Sequence, residues 1–144
     1  MAISPMMQQY LQIKEQNPDK LILFRLGDFY ELFFDDAELA SRELDLTLTG
    51  KDCGLAERAP MCGVPYHAFE SYIARLIEKG YKVAICEQLT DPAESKGLVD
   101  RGITRIITPG TIIESTMLDD SSANYIAAIN FQGSKIGIAY CDVS

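Results

Sequence analysis

The chain has 144 residues, of which 47% are apolar and 24% charged, with a formal net charge of −8 at neutral pH. This is the composition of a globular protein able to bury one sizeable core, with no run near the ~18–20 apolar residues of a membrane span. The acidity argues against a generic nucleic-acid binder, and Met1-Ala2-Ile3-Ser4 lacks the basic region of a signal peptide, so the cytoplasm is the expected compartment.

Ser4 as N-cap and Pro5 at the first helical position predict a helix from Met6 to Glu15, stopped before Asn17-Pro18. A hairpin of Leu21–Arg25 and Phe29–Phe34 follows, turning at Gly27-Asp28, where Gly tolerates positive φ and Asp bonds its own backbone. A second helix runs from Asp36 to Leu44, with Ala37, Leu39, Ala40 and Leu44 at helical spacing and acids in its first turn. The alternation of Leu46-Thr47-Leu48-Thr49 reads as a strand, and Gly50–Pro60 as a polar loop holding Lys51 and Arg58.

Met61–Val64 reads as a short strand. The helix Ala68–Lys79 has Phe69, Tyr72, Ile73, Leu76 and Ile77 on its apolar face and Gly80 as its cap. Lys82–Gln88 is predicted as a buried strand, Thr90–Gly102 as a polar loop holding Arg101, and Thr104–Thr108 as a strand closed by Pro109-Gly110. The fold class expected is α/β of the α+β type, a mixed sheet flanked by helices with an extra C-terminal hairpin. That hairpin comprises Tyr125–Ile129 and Ile136–Tyr140 around Gln132-Gly133-Ser134. The expected domains are 1–116, a linker at 117–123, and 124–144.

The run Gly27-Asp28-Phe29-Tyr30-Glu31-Leu32-Phe33-Phe34-Asp35-Asp36 is the most informative part of the chain. Side chains alternate along a strand, so Phe29 and Glu31 share one face near the turn and Tyr30 takes the other. An aromatic wedge beside a carboxylate can enter a DNA minor groove, the ring unstacking a base step and the acid accepting from a base edge. Core packing of Phe29 and solvation of Glu31 are the plainer alternatives, but Tyr30, Leu32 and Phe34 on the opposite face suffice for the core. A carboxylate beside phosphates is repelled, so Glu31 is an odd choice unless it bonds a base or takes up a proton.

These residues resemble the N-terminal mismatch-recognition domain of the bacterial MutS family of DNA mismatch-repair proteins. Its Phe-X-Glu motif matches Phe29-Tyr30-Glu31, inside the longer string Gly27 to Phe33. The likeness also takes in Ser4–Leu11, Pro60–Ala68, Val83–Gln88, Asp91-Pro92-Ala93, Ser95-Lys96-Gly97 and Arg105–Thr111. Several strings in order are far more specific than one short motif. The resemblance implies binding of mismatched or unpaired bases in duplex DNA, with Phe29 stacking on the displaced base and Glu31 bonding it. Lys51 and Arg101 match loops flanking the DNA, with solvated surface charge as the competing reading. It further implies a ribonuclease-H-like connector domain whose first strands fall at 124–144, so that the chain looks like a fragment. A homodimer, a MutL-type partner, ATP and Mg²⁺ are implied for the full-length protein through other segments, with no cofactor in this fragment and no enzyme activity of its own.

The negative charge is unevenly distributed along the chain. Asp35, Asp36, Glu38, Glu43 and Asp45 against Arg42 give −4, half the total, on one predicted helix, while Lys51 to Arg105 is balanced at eight acids and eight bases. A metal-dependent nuclease is the alternative from another class, using the carboxylates of Asp28, Glu31, Asp35 and Asp36, with Glu94-Ser95-Lys96 as an acid-X-Lys string. A pure protein-interaction module leaves the wedge unexplained. Cys53, Cys62, Cys86 and Cys141 include no Cys-X-X-Cys pair and are expected reduced, and Cys53, Cys62 and Cys86 with His67 fit no standard zinc spacing. His67 is expected to serve the start of its helix.

Overall fold

In the computed structural model of the chain, residues 2–90, 97–110 and 123–143 are described. They form two compact units, Met1–Thr111 and Ile112–Ser144. The first contains α1 (Pro5–Gln16), β1 (Leu21–Leu26), β2 (Phe29–Phe33), α2 (Phe34–Leu44), β3 (Thr49–Lys51), β4 (Ala59–Pro65), α3 (Phe69–Glu78), β5 (Val83–Gln88) and β6 (Arg101–Ile107). The strands make one sheet in the order β3-β4-β2-β1-β5-β6. Only β1 and β5 run parallel; every other pairing is antiparallel, giving the mixed sheet expected.

The sheet is covered on both sides, so Leu21–Phe24 and Val83–Cys86 are buried without interruption, as a two-sided strand requires. One face carries Ile22, Phe24, Phe33, Ala59, Ala84 and Cys86 beneath Met7 and Tyr10 of α1. The other carries Tyr30, Leu32, Cys62 and Val64 beneath α2 and α3; there Tyr30 lies 4.8 Å from Phe69, and the Cys62 thiol donates to the Ala37 carbonyl. The Ser4 hydroxyl accepts from the Met7 N–H at 3.4 Å with Pro5 in the first turn, so α1 begins as its sequence predicts.

Asp36 is the single buried charged side chain among the described residues. Its carboxylate accepts from the Lys14 ammonium at 2.8 Å, the Ile22 N–H at 3.1 Å and the Tyr10 hydroxyl at 3.4 Å. Tyr10 also donates to the Phe33 carbonyl at 3.2 Å, and its ring packs edge-on against Phe24 and Phe33. Burial and the neighbouring Asp36 push the Tyr10 phenol well above its ordinary pKa. Helix α2 follows β2 without a connecting loop: Phe33 is extended, no side chain caps the helix, and Phe34 enters it at φ 53°, a conformation rare for a bulky residue.

Several boundaries differ from expectation; β4, for one, runs over Ala59–Pro65 and so takes Ala59 and Pro60 from the expected loop. The strand expected at Leu46–Thr49 starts only at Thr49 and continues through Lys51. Asp45 closes α2 in the left-handed region, and only Thr49–Lys51 lie opposite Ala59–Met61 for pairing. Arg101 and Gly102, placed in a loop by their sequence, open β6 because Gln88 and Glu87 supply pairing partners beyond a bulge at Ile85/Cys86. Helix α2 starts at Phe34 instead of Asp36. The linker expected at 117–123 falls outside the described residues except for Ala123.

The second unit contains a hairpin, β7 (Tyr125–Gln132) and β8 (Lys135–Asp142), turning through Gly133 at φ +61°. Every residue of both strands is exposed. No helix among the described residues is long and apolar enough to cross a membrane.

Replacing Asp36 by Ala leaves a buried N–H and hydroxyl without this acceptor and Lys14 without its partner. The expected loss is about 3 kcal/mol, the lower end for breaking a buried pair because Lys14 keeps some solvent contact. Urea unfolding of the 144-residue chain measures it.

Candidate nucleic-acid interface

The β1–β2 hairpin turns through two residues, with Leu26 opposite Phe29. Gly27 sits at φ +58° with open space where a Cβ would point, so the backbone angle alone demands glycine there. The tip is braced from its α2/α3 side. Arg25 donates through Nε to the Gly27 carbonyl and lays its guanidinium 3.5 Å over the Tyr66 ring. The Tyr66 N–H donates to the Asp28 carbonyl at 2.8 Å, carrying β4's pairing one residue further. Arg25 also lies 3.9 Å from Glu87, which accepts from the Tyr30 hydroxyl. Burial and that carboxylate push the Tyr30 phenol above its ordinary pKa.

On this braced tip Phe29 is 47% exposed, whereas the next aromatic residues of β2, Tyr30 and Phe33, are at most 1% exposed. Glu31 follows on the same face and is largely covered. Gly63, opposite it on β4, makes that possible: a Cβ there would stand 3.3 Å from Glu31 Cγ and 3.7 Å from the Phe29 ring. The missing side chain is the floor on which the aromatic–carboxylate pair lies. Glu31 Oε2 is buried without a hydrogen bond, the one such side-chain oxygen or nitrogen found among the described residues. Lys51 Nζ lies 4.0 Å from it. Burial raises the Glu31 pKa above its ordinary value, and the Lys51 charge offsets part of that rise.

Lys51 thus stands on edge strand β3, on the same sheet face as Phe29 and Glu31, instead of in a loop. Arg101 opens the opposite edge strand, at the end of the sheet nearest the hairpin tip. Its guanidinium donates to the Arg25 carbonyl at 2.8 Å, the Val99 carbonyl at 3.1 Å and Gln9 Oε1 at 3.2 Å, and lies 5.1 Å from the Phe24 ring centroid. Phe29, Glu31 and Lys51 are therefore gathered into one patch. Arg101 is tied into the scaffold beside it.

The carboxylates of the nuclease alternative do not converge. Asp36 is bound within the core, Asp28 sits at the hairpin tip, and Asp35 is in the first turn of α2. No three His, Cys, Asp or Glu among the described residues are grouped to hold a metal ion, and Glu94–Lys96 lies outside those residues. Cys53, Cys62 and Cys86 are buried thiols; burial pushes Cys62 to about 11 and Cys86 to about 12, so both remain protonated and pack as small apolar groups. His67 lies in a single 3₁₀ turn, Tyr66–Ala68, ahead of α3.

Sequence reasoning missed Gly63, Arg25 and Tyr66. Glycine inside the strand pattern Met61–Val64 was the available signal, since it marks close approach by another group. Arg25 and Tyr66 had none, because they meet only across β2.

The family model described as MutS domain I matches residues 4–116. The chain belongs to that family. Over 143 residues it is 63% identical to the DNA mismatch repair protein MutS of Acetivibrio thermocellus and 61% identical to that of Ruminiclostridium cellulolyticum. In each case 99% of this chain is covered, and it spans 16% of the relative's length.

The raised Glu31 pKa means that the native state holds this proton more tightly than the unfolded chain. Its contribution to stability is therefore greatest in acid and declines as pH rises through the Glu31 titration. Glu31→Gln is expected to raise the urea midpoint at pH 7, with the gain shrinking as the pH is lowered through the carboxylate range.

Proposed function

We propose that the first unit senses mismatched or unpaired bases in duplex DNA through a minor-groove wedge made of Phe29 and Glu31. The observation that carries this reading is an exposed Phe29 beside a half-buried Glu31 lacking a hydrogen bond, both held on a braced hairpin tip. Such a wedge works by deformability. A mispaired base unstacks more readily than a paired one, so the complex that requires a kink forms there first. Phe29 stacks on the displaced base while Glu31 hydrogen-bonds its edge, with little preference among bases. Lys51 and Arg101 flank the groove as cationic contacts; the half-exposed ammonium of Lys51 supports that role better than the internally bonded Arg101.

We assign the chain to a cytoplasmic DNA mismatch-repair protein in which residues 1–116 form the recognition domain, 117–123 a linker and 124–144 the opening strands of a connector domain. Homodimerisation, ATP with Mg²⁺, and a MutL-type partner belong, in this reading, to segments of the full-length protein outside this chain. The fragment itself supplies recognition, with no catalysis.

In a full-length family member carrying these residues, Phe29→Ala is expected to reduce the preference for G·T over homoduplex DNA by about tenfold or more, as loss of roughly 1–3 kcal/mol of base stacking implies. Thermal stability should hardly change, because the ring is half exposed. Glu31→Ala should lower the same preference while leaving homoduplex affinity equal or higher, since a charge repelled by phosphates is gone. Fluorescence anisotropy titrations with both duplexes at physiological salt decide. An unchanged preference in Phe29→Ala would remove the wedge.

The 144-residue chain alone is expected to bind either duplex weakly. Its net charge is −8, so phosphate neutralisation contributes little, and bending a duplex costs on the order of 1–6 kcal/mol that further contacts must repay. Tight, selective binding in the same titration would overturn this account of where affinity arises.

A further inference from the structure

The Phe-X-Glu pair does not stand alone on its face of the sheet. Thr49 and Lys51 of β3 pair with Met61 and Ala59 of β4, and Glu31 of β2 pairs with Gly63, so Lys51 and Glu31 project from the same side of adjacent ladders. The Lys51 ammonium reaches to 4.0 Å from Glu31 Oε2, the buried oxygen without a hydrogen bond. Among the described residues Glu31 has no second ion pair; the Arg101 guanidinium, over the neighbouring Phe24 ring, is bonded to Arg25, Val99 and Gln9. Arg58 spends its guanidinium on the Gly50 carbonyl, and the direct partners of Glu31 in the sheet are Phe24 on β1 and Gly63 on β4, both uncharged.

We propose that Lys51 is a positioning residue for Glu31, holding one carboxylate oxygen inward against the sheet so that the group is presented to a displaced base in a single orientation. This rests on the wedge reading of Phe29 and Glu31, and gives Lys51 a role that a phosphate contact alone does not. A carboxylate over a glycine floor has no side-chain wall on β4 to fix it, and a nearby point charge supplies the missing restraint. The same charge favours the ionised, accepting form of the carboxyl and offsets part of the burial that opposes it. Lys51 therefore acts on selectivity through Glu31.

Two measurements test this. In the 144-residue chain, the ¹³Cδ resonance of Glu31 is followed against pH. Lys51→Met should move its midpoint upward and Lys51→Arg should restore it toward the wild-type value; an unmoved midpoint in Lys51→Met would overturn the pairing. This experiment contains no DNA, so it stands apart from the wedge reading. In the full-length protein, the ratio of homoduplex to G·T dissociation constants is measured for Lys51→Met, Glu31→Gln and the double variant. Lys51→Met should lower the ratio by roughly tenfold, the scale of a hydrogen bond to a charged group, and should have little further effect on it in the Glu31→Gln background. Equal weakening of both duplexes, with the ratio unchanged, would make Lys51 a phosphate contact only and overturn the proposal. Retention of the ratio in Phe29→Ala would instead strike the wedge reading, whatever the carboxyl titration shows.

Discussion

The fold of the first unit depends on one buried carboxylate. A sheet covered on both faces needs its layers fixed in relation to one another, and apolar packing alone permits sliding. Asp36 prevents that by joining three elements to the helix that carries it. Lys14 and Tyr10 reach it from α1, the Ile22 N–H from β1, and Tyr10 also binds the Phe33 carbonyl at the end of β2. A charge this deeply covered persists only where its bonds are satisfied, so this arrangement admits one packing of α1 and few others. With α1 held over Ile22, Phe24 and Phe33, the hairpin tip is left uncovered, which is why Phe29 is half exposed while Phe33 is fully buried.

The same layering separates the chain's excess negative charge from the proposed wedge. The excess carboxylates cluster on α2, and α2 packs on the sheet face opposite Phe29, Glu31 and Lys51. One of them is occupied there: Glu43 accepts from Lys79 at 2.6 Å and from Tyr81 at 3.1 Å, and those donors lower its pKa. Net charge is a property of the whole chain, while the field at a groove depends on which face the charges occupy. On the face opposite α2, Glu31 has the Lys51 ammonium 4.0 Å away.

Much of this was legible in the chain itself. Ser4-Pro5 fixed the start of α1, Gly27-Asp28 the turn, and strict alternation after it put Phe29 and Glu31 together on one face. What escaped was set by pairing between distant segments. Thr49–Lys51 are strand because Ala59–Met61 lie opposite, and Arg101 is strand because Gln88 does; neither follows from local composition. Leu46–Leu48 alternate without being strand because α2 ends in a left-handed Asp45 that redirects the chain. The role of Gly63 is a contact across two strands, which no local pattern encodes.

The loopless passage from β2 into α2 has a mechanical meaning. Phe34 holds its φ of 53° where a small residue would sit more easily, and no spare residue separates the strand bearing Phe29 from the helix behind it. A load applied at the hairpin tip therefore has no slack to take up on that side. It travels along β2 into α2 and, through Asp36, into α1, so the first unit takes up the load as one piece.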